Sequence, residues 1–518
     1  MNVMRAADLP RYYNAVDILE RNLAERADKI ALCSPERNMT FREVSQEANR
    51  VGNALKRLHI RVGDVVGILC PDQAEWVTTF FGAMKIGAVA LGINTLLTPR
   101  EFAYILEDSR TRVLVVHESL YPKIEAFRKE CRFLEYVVVV GDGEHSYEEW
   151  IRNEPAELAA VSTHRDDFAT LNYSSGTTGE PKGILHAHKD LPLTAQLFGV
   201  NVLGVSPEDR TFAAAKLFFT FGTGGNLIFP WYVGAGIVLF AGQPRISTNV
   251  LDTVARFKPT ILFNAPTSYA AILAIERFRE KYDLSSLRLC VSAGEALPAP
   301  IWRRWKETTG LDIIDGIGST ENYHTFISNR PGDIRPGSSG KVVPGYRVKV
   351  VDEDFHEVTQ GQTGNLLVKG ETAALFYLHD YERSKKTFLG DWLFTGDKYY
   401  ADTDGYYWHA GRSDDMMKVG GIWVSPVEVE SILLCHESVV ECAVVACRDS
   451  ADLTKPKVYV VLREGYPPSE TLARELIEHC RREMAEYKRP RWVEFVEELP
   501  KTATGKIQRF KLRAGPRP

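Results

Sequence analysis

The sequence predicts an α/β fold in which helix-covered parallel sheets precede an antiparallel segment and a small α+β unit. Three observations carry this. Short apolar runs of buried-strand type alternate with helical patterns through the first two-thirds of the chain. From about residue 335 these runs give way to alternating apolar and polar residues, punctuated by Gly and Pro. The 518 residues also exceed what one hydrophobic core fills, so two to four domains are expected.

Residues 64–70 form a near-continuous apolar run, and residues 74–86 then read as a helix that Gly87 stops. Residues 113–116 and 136–140 are further buried strands, the second ending at Gly141. Residues 168–173, 183–186, 212–215 and 237–240 fit the same pattern. Continuous apolar runs, rather than alternating ones, mean strands covered on both faces. Residues 341–352 and 364–370 alternate as antiparallel strands do. A boundary falls near residues 411–414. Beyond it, strands over 442–446 and 457–462 and helices over 426–434 and 470–485 suffice for a small α+β domain. No internal repeat is evident.

Composition excludes several classes. With 44% hydrophobic and 25% charged residues the chain is an ordinary globular protein, and its net charge of −5 gives no reason to expect a nucleic-acid partner. The eight cysteines are scattered, with no C-x-x-C and no zinc-ligand spacing, which predicts reduced thiols and a cytoplasmic protein. Residues 1–8 lack an apolar signal core, and no apolar stretch is long enough for a membrane span.

The most informative stretch runs from Tyr173 to Gly183. Its eleven residues hold four hydroxyls (Ser174, Ser175, Thr177, Thr178), three glycines and Lys182. Glycines let backbone N–H groups converge on an anion, hydroxyls add donors and lysine adds charge. It is not a Walker A loop, because Lys182 follows Pro181 and precedes Gly183, and it contains no G-x-G-x-x-G. Strand patterns on both sides make it a polyphosphate-binding loop rather than a flexible spacer.

Other segments carry weaker signals. Residues 316–321 (Gly-Ile-Gly-Ser-Thr-Glu) follow a strand pattern and read as a tight turn placing a hydroxyl on a phosphate and a carboxylate on Mg2+. Residues 292–298 form a small-residue turn against which a flat base can lie. Asp397, beside a glycine turn, suits ribose hydroxyls, and Arg412 adds a cation. Residues 500–507 read as an ordered loop presenting Lys506. His186-Ala187-His188 lacks a third ligand of suitable spacing, so no metal is expected there.

In this order and at these separations, the segments resemble the adenylate-forming superfamily of acyl-CoA synthetases, adenylation domains and luciferases, over nearly the whole chain. Tyr12-Tyr13-Asn14-Ala15, residues 216–222 (Lys-Leu-Phe-Phe-Thr-Phe-Gly) and residues 316–321 are similar to the benzoate-CoA ligase branch, which includes 2-aminobenzoate (anthranilate) ligases. Ile317 departs from many relatives, which carry an adenine-stacking aromatic there.

The resemblance implies a large N-terminal domain, residues 1–413, of two helix-flanked sheets plus a small distorted barrel. It also implies a mobile C-terminal domain, residues 414–518, hinged at Asp414. It implies two half-reactions: a carboxylate attacks the α-phosphate of ATP to give an acyl-AMP and pyrophosphate, then CoA displaces AMP. Ser174, Ser175, Thr177, Thr178 and Lys182 hold the β- and γ-phosphates. Thr320 meets the α-phosphate and Glu321 holds Mg2+. Gly294, Glu295, Ala296, Asp315, Gly316 and Ile317 form the adenine side, Asp397 and Arg412 the ribose side. Gly420 and Gly421 line the path of CoA, and Lys506 is the catalytic lysine of adenylation.

For the acid, no carboxylate stands at Phe219-Thr220, where amino-acid-activating relatives pair an ammonium. Phe221 offers an aromatic wall beside Thr220, and Ala293, Gly294, Gly316, Ile317 and Gly318 leave a slot for a flat ring, with His324 and Thr325 near its substituents. The expected function is therefore ATP-dependent aryl-CoA ligation of a benzoate or anthranilate type of acid. An aryl-AMP ligase loading a carrier protein, a medium-chain acyl-CoA synthetase and a non-catalytic nucleotide-binding module are the alternatives.

Overall fold

The computed structural model describes residues 3–142, 146–174, 181–240, 242, 247–412, 415–419, 422–449, 453–501 and 507–513. A six-stranded sheet has the order Tyr136–Val140, Thr111–His117, Val65–Leu69, Val89–Gly92, Phe168–Ser174, Lys182–Ala187. Its first five strands are parallel, and the last folds back antiparallel on Phe168–Ser174, with Ser174 opposite Lys182. The two ends of the phosphate-loop motif are thus fixed by one hairpin.

A nine-stranded sheet has a parallel centre, in which Ile313–Gly318, Leu289–Ser292, Ile261–Asn264, Arg210–Ala213, Gly236–Val238 and Ile30–Cys33 lie side by side. Thr325–Ser328 and then Lys341–Val342 extend it antiparallel at one edge. The two sheets share a core. Val66, Ile68 and Val113 of the first, Val44 and Phe81 of the helices Phe41–Arg57 and Ala74–Lys85, and Ile237, Phe263 and Ile314 of the second form one buried cluster. Alternate residues cover the outer faces, Leu114 and Val116 on one sheet and Phe212 and Leu262 on the other. Strands buried on both faces explain the near-continuous apolar runs.

The helix after Val65–Leu69 spans Ala74–Lys85, and Gly87 leaves it with φ +78°, a conformation that glycine adopts freely. The expected small barrel takes the form of a five-stranded antiparallel sheet built on Trp392–Ala401, which pairs with Gly364–Lys369, Phe388–Leu389 and Tyr407–Arg412. From residue 417 onward a separate core forms. Val444, Val458 and Val460 of a three-stranded sheet pack on Val429, Leu476 and Cys480 of the helices Pro426–Leu433 and Glu470–Glu483. The eight cysteines are free. Among the described residues no helix is long and apolar enough to cross a membrane.

One expectation is corrected. Residues 316–318 are not a turn but the end of the strand Ile313–Gly318; the turn is the following 3-10 segment Thr320–Asn322. The glycines serve close approach. A Cβ at Gly316 would lie 2.6 Å from the Ile327 carbonyl oxygen, and one at Gly318 2.5 Å from that of His324.

Candidate active site

The hairpin and the turn after Gly318 converge on one cluster. Lys182, at the start of its strand, donates from Nζ to Glu321 Oε1 at 2.8 Å and to the Tyr377 hydroxyl at 2.8 Å. Tyr377 donates in turn to Glu321 Oε1 at 2.7 Å. Burial pushes the Glu321 carboxyl up, but Lys182, by charge and hydrogen bond, and Tyr377 outweigh it and hold it at about 2. Glu321 is thus a half-buried, ionised carboxylate beside the end of the phosphate-loop motif. The Ser174 hydroxyl, on the strand leading in, is buried without a hydrogen-bond partner among the described residues.

Behind this cluster His186 fixes the turn. Its Nε2 donates to the Thr320 carbonyl at 2.7 Å and its Nδ1 faces Asp190 Oδ2 at 3.1 Å. Asp190 is itself held by the Ala187 amide at 2.9 Å. His188 accepts from the Ala15 amide at 3.1 Å, and burial lowers its pKa to about 4. The His-Ala-His pair is therefore structural, and among the described residues no group of His, Cys, Asp and Glu is arranged to hold a metal.

The same segment continues into an aromatic pocket. His324 is buried among Phe198, Phe221 and Phe229, with ring centroids 4.6–5.5 Å away. Its Nδ1 lies 2.9 Å from the Thr325 hydroxyl and its Nε2 3.4 Å from the Phe221 carbonyl. Burial lowers its pKa to about 3. The ring is neutral, with its proton on Nε2 and its lone pair accepting from Thr325. The polar atoms of His324 and Thr325 are thus paired with their neighbours. Gly224 presses against the His324 ring: a Cβ there would sit 2.4 Å from His324 Cδ2. Thr220 opens the short helix Thr220–Thr223 and is buried, and Phe221 is half-buried, its ring against Phe263 and His324.

Asp315 is buried beneath the loop carrying Ala293, Gly294, Glu295 and Ala296. Its Oδ2 accepts from the Leu297 amide at 3.3 Å, and burial lifts its carboxyl to about 8. Gly294 has φ +100°, and Glu295 Oε1 accepts from the Ile507 amide at 3.1 Å. Asp397 and Arg412 face each other across two paired strands, with Nη1–Oδ1 at 3.2 Å. Gly396, at φ +76°, leaves room for that guanidinium. Ile317 packs half-buried against the main core. Ser175, Thr177, Thr178, Asp414, Gly420, Gly421 and Lys506 lie outside the described residues.

Residues 320–325 join the Lys182–Glu321–Tyr377 cluster to the aromatic cluster around His324, and the chain as a whole matches known proteins. The family described as AMP-binding enzyme matches residues 19–378, and the AMP-binding enzyme C-terminal domain matches residues 428–506. The chain belongs to the AMP-binding enzyme family. A benzoate–CoA ligase of Thauera aromatica is 45% identical, covering 99% of this chain and 98% of its own. A 4-hydroxybenzoate–CoA/benzoate–CoA ligase of Rhodopseudomonas palustris is 40% identical, over 97% of this chain and 94% of its own. The crystal structure of the anthranilate CoA ligase AuaEII in complex with anthranoyl-AMP superposes with a TM-score of 0.97 at 65% identity, covering 99% of this chain and 98% of that one. Within the AMP-binding family, the chain's place is the benzoate-CoA ligase branch.

The sequence did not single out Tyr377, His186 or Asp190 for the site. His186 stood out only as a metal candidate, and Tyr377 lies in a segment without a site pattern.

Proposed function

We propose that this chain is an ATP-dependent aryl-CoA ligase that converts an aromatic carboxylate of benzoate or anthranilate type to aryl-AMP and then to aryl-CoA. The observation that carries this is the single segment 320–325. At one end it presents the half-buried carboxylate of Glu321 to Lys182, and at the other it places His324 in a cage of phenylalanines. A ring seated there brings its carboxylate toward the phosphate side. The chain's similarity to benzoate- and anthranilate-CoA ligases supports the same reading.

In the first half-reaction, Ser174, Ser175, Thr177, Thr178 and Lys182 bind the β- and γ-phosphates of the leaving pyrophosphate. The Lys182–Glu321 contact is the resting pairing of two groups that separate as the anion arrives. Thr320 meets the α-phosphate, Asp397 and Arg412 orient the ribose, and Asp315 with residues 293–297 faces the base. Glu321 suits Mg2+ because a single ionised carboxylate, completed by substrate phosphates, is a common way to bind it; bound there, the ion would neutralise phosphate charge. Lys506 stabilises the charge shared by the carboxylate and α-phosphate as the acyl–phosphate bond forms. Residues 414–518 then rotate about Asp414, bringing Gly420 and Gly421 to the path of CoA, whose thiol displaces AMP.

Because the polar atoms of His324 and Thr325 are already paired, the acid site proposed here selects by shape and apolar contact. ATP–pyrophosphate exchange across benzoate, its amino and hydroxy derivatives, cinnamate and octanoate tests this. Benzoate or anthranilate should lead; a strong preference for octanoate would overturn the aromatic assignment.

A further inference from the structure

Thr220 and Phe221 stand on the segment 216–223, which follows the strand Arg210–Ala213 of the nine-stranded sheet. A carboxylate from the other sheet holds that segment. Asp72 is buried in the connection between the strand Val65–Leu69 and the helix Ala74–Lys85. Its Oδ1 accepts from the Leu217 backbone N–H at 3.0 Å, across 145 residues of chain. Its Oδ2 lies 3.9 Å from Lys216 Nζ, a long ion pair. Lys216 donates instead to the Phe240 carbonyl, and its ammonium sits 4.3 Å from the centroid of the Phe240 ring. The Leu217 amide is thus the closer partner of the carboxylate. Burial pushes the Asp72 carboxyl up to about 6 against Lys216 and that amide, so it is ionised above that pH.

The segment is stiff. The Phe219 amide donates to the Lys216 carbonyl at 3.0 Å, and the Thr223 hydroxyl donates to the carbonyls of Leu217 and Phe219. Gly222 closes it tightly, since a Cβ there would lie 2.1 Å from the Lys216 carbonyl oxygen. Phe218 leans on the six-stranded sheet at Gly92, where a Cβ would come within 3.1 Å of the Phe218 Cα. A hold on Leu217 is therefore passed on to Phe221, whose ring stands 5.5 Å from that of His324 and 5.8 Å from that of Phe263.

We infer that Asp72 is a positioning residue for the aromatic acid, which fixes the place of Phe221 against His324 and Phe263 by binding the Leu217 amide. A carboxylate suits this task, since a charge-assisted bond to a backbone N–H is stronger than a neutral one. Without it the buried amide loses its acceptor, and the segment moves to find another. The inference rests on the reading above that Thr220 and Phe221 line the acid site.

The test compares wild type with Asp72→Ala, Asp72→Glu and Asp72→Asn in pyrophosphate exchange, using the aromatic acid that wild type adenylates best. D72A should raise the KM for that acid about tenfold by displacing the ring wall, while the KM for ATP changes less than about twofold. D72E keeps the charge but sets the carboxylate one methylene further out, and should raise the KM for the acid about threefold even if D72A does not fold. D72N, whose amide oxygen still accepts from Leu217, should stay within about twofold of wild type. An unchanged KM for the acid in D72A or D72E, an equal rise in the KM for ATP, or a D72N as impaired as D72A would overturn the inference. Hydrogen exchange at the Leu217 amide supplies a readout without turnover. Exchange should be faster in D72A and D72E than in wild type, and equal exchange refutes the contact. A wild type that adenylates no aromatic acid would instead refute the ligase reading, with the exchange result still deciding the contact.

Discussion

The part of the molecule up to Arg412 and the part from Asp415 onward are built on opposite plans. In the first, site residues are tied to one another by buried contacts: Lys182 to Glu321 and Tyr377, His186 to Thr320 and Asp190, His324 to Thr325 and the phenylalanines. The second is tied to itself, through Arg509–Glu430, Arg513–Asp415 and Lys501–Glu441. Among the described residues it meets the first through polar contacts such as Ile507 with Glu295. One meeting point is unfavourable. Arg304 and Arg463 line one small cleft between the parts, where burial and the charge of Arg463 both lower the pKa of Arg304. Ties made within each part suit the proposed chemistry, which needs a fixed pocket.

The comparison breaks most severely at Lys506. Lys506→Ala should cost about two to three orders of magnitude in adenylation, the scale of one lost charge-stabilising donor, while thioester formation from supplied aryl-AMP survives. Separate assays of the half-reactions check this, and equal losses would mean that the lysine does not move between steps. A smaller effect is expected in the fixed pocket. Gly224→Ala drives a Cβ into the His324 ring, which neighbouring aromatics prevent from yielding. The KM for the aromatic acid should rise about tenfold, a change of about 1.4 kcal/mol, with the KM for ATP unchanged. Steady-state kinetics in each substrate decide it.

A last effect, on stability rather than turnover, concerns Asp315. Its carboxyl keeps its proton to about pH 8 in the folded chain, against 3.8 ordinarily. The folded state therefore binds the extra proton across that window. The stability this contributes is full below about pH 4 and is lost as pH rises to about 8. Asp315→Asn removes this dependence, so the stability of wild type relative to D315N should fall from pH 4 to pH 8 in thermal melts. A flat or rising difference would show that the carboxyl is ionised in its pocket.

Much of this was legible in sequence because its causes are local. Buried parallel strands write themselves as unbroken apolar runs, and Gly87 as a helix stop needs only its own φ. The hairpin around the phosphate-loop motif was read from strand patterns on both sides. What could not be read depends on distant partners. The residues Gly316 and Gly318 read as a turn, because what demands glycine there is the Ile327 and His324 carbonyls pressing on an extended strand. Tyr377 meets Lys182 from 195 residues away, and His186 meets the Thr320 carbonyl from 134 away. His324 was legible as a pocket residue, but the commitment of both its nitrogens was not, since one partner is the Phe221 backbone.

The most direct test of the account is a single-turnover experiment in which the wild-type protein is mixed with ATP and anthranilate or benzoate before CoA is added. A stoichiometric burst of pyrophosphate and of enzyme-bound aryl-AMP is expected, and a CoA chase converts the aryl-AMP to aryl-CoA and AMP. Release of ADP and phosphate, or formation of thioester with no aryl-AMP detectable before the chase, would contradict it.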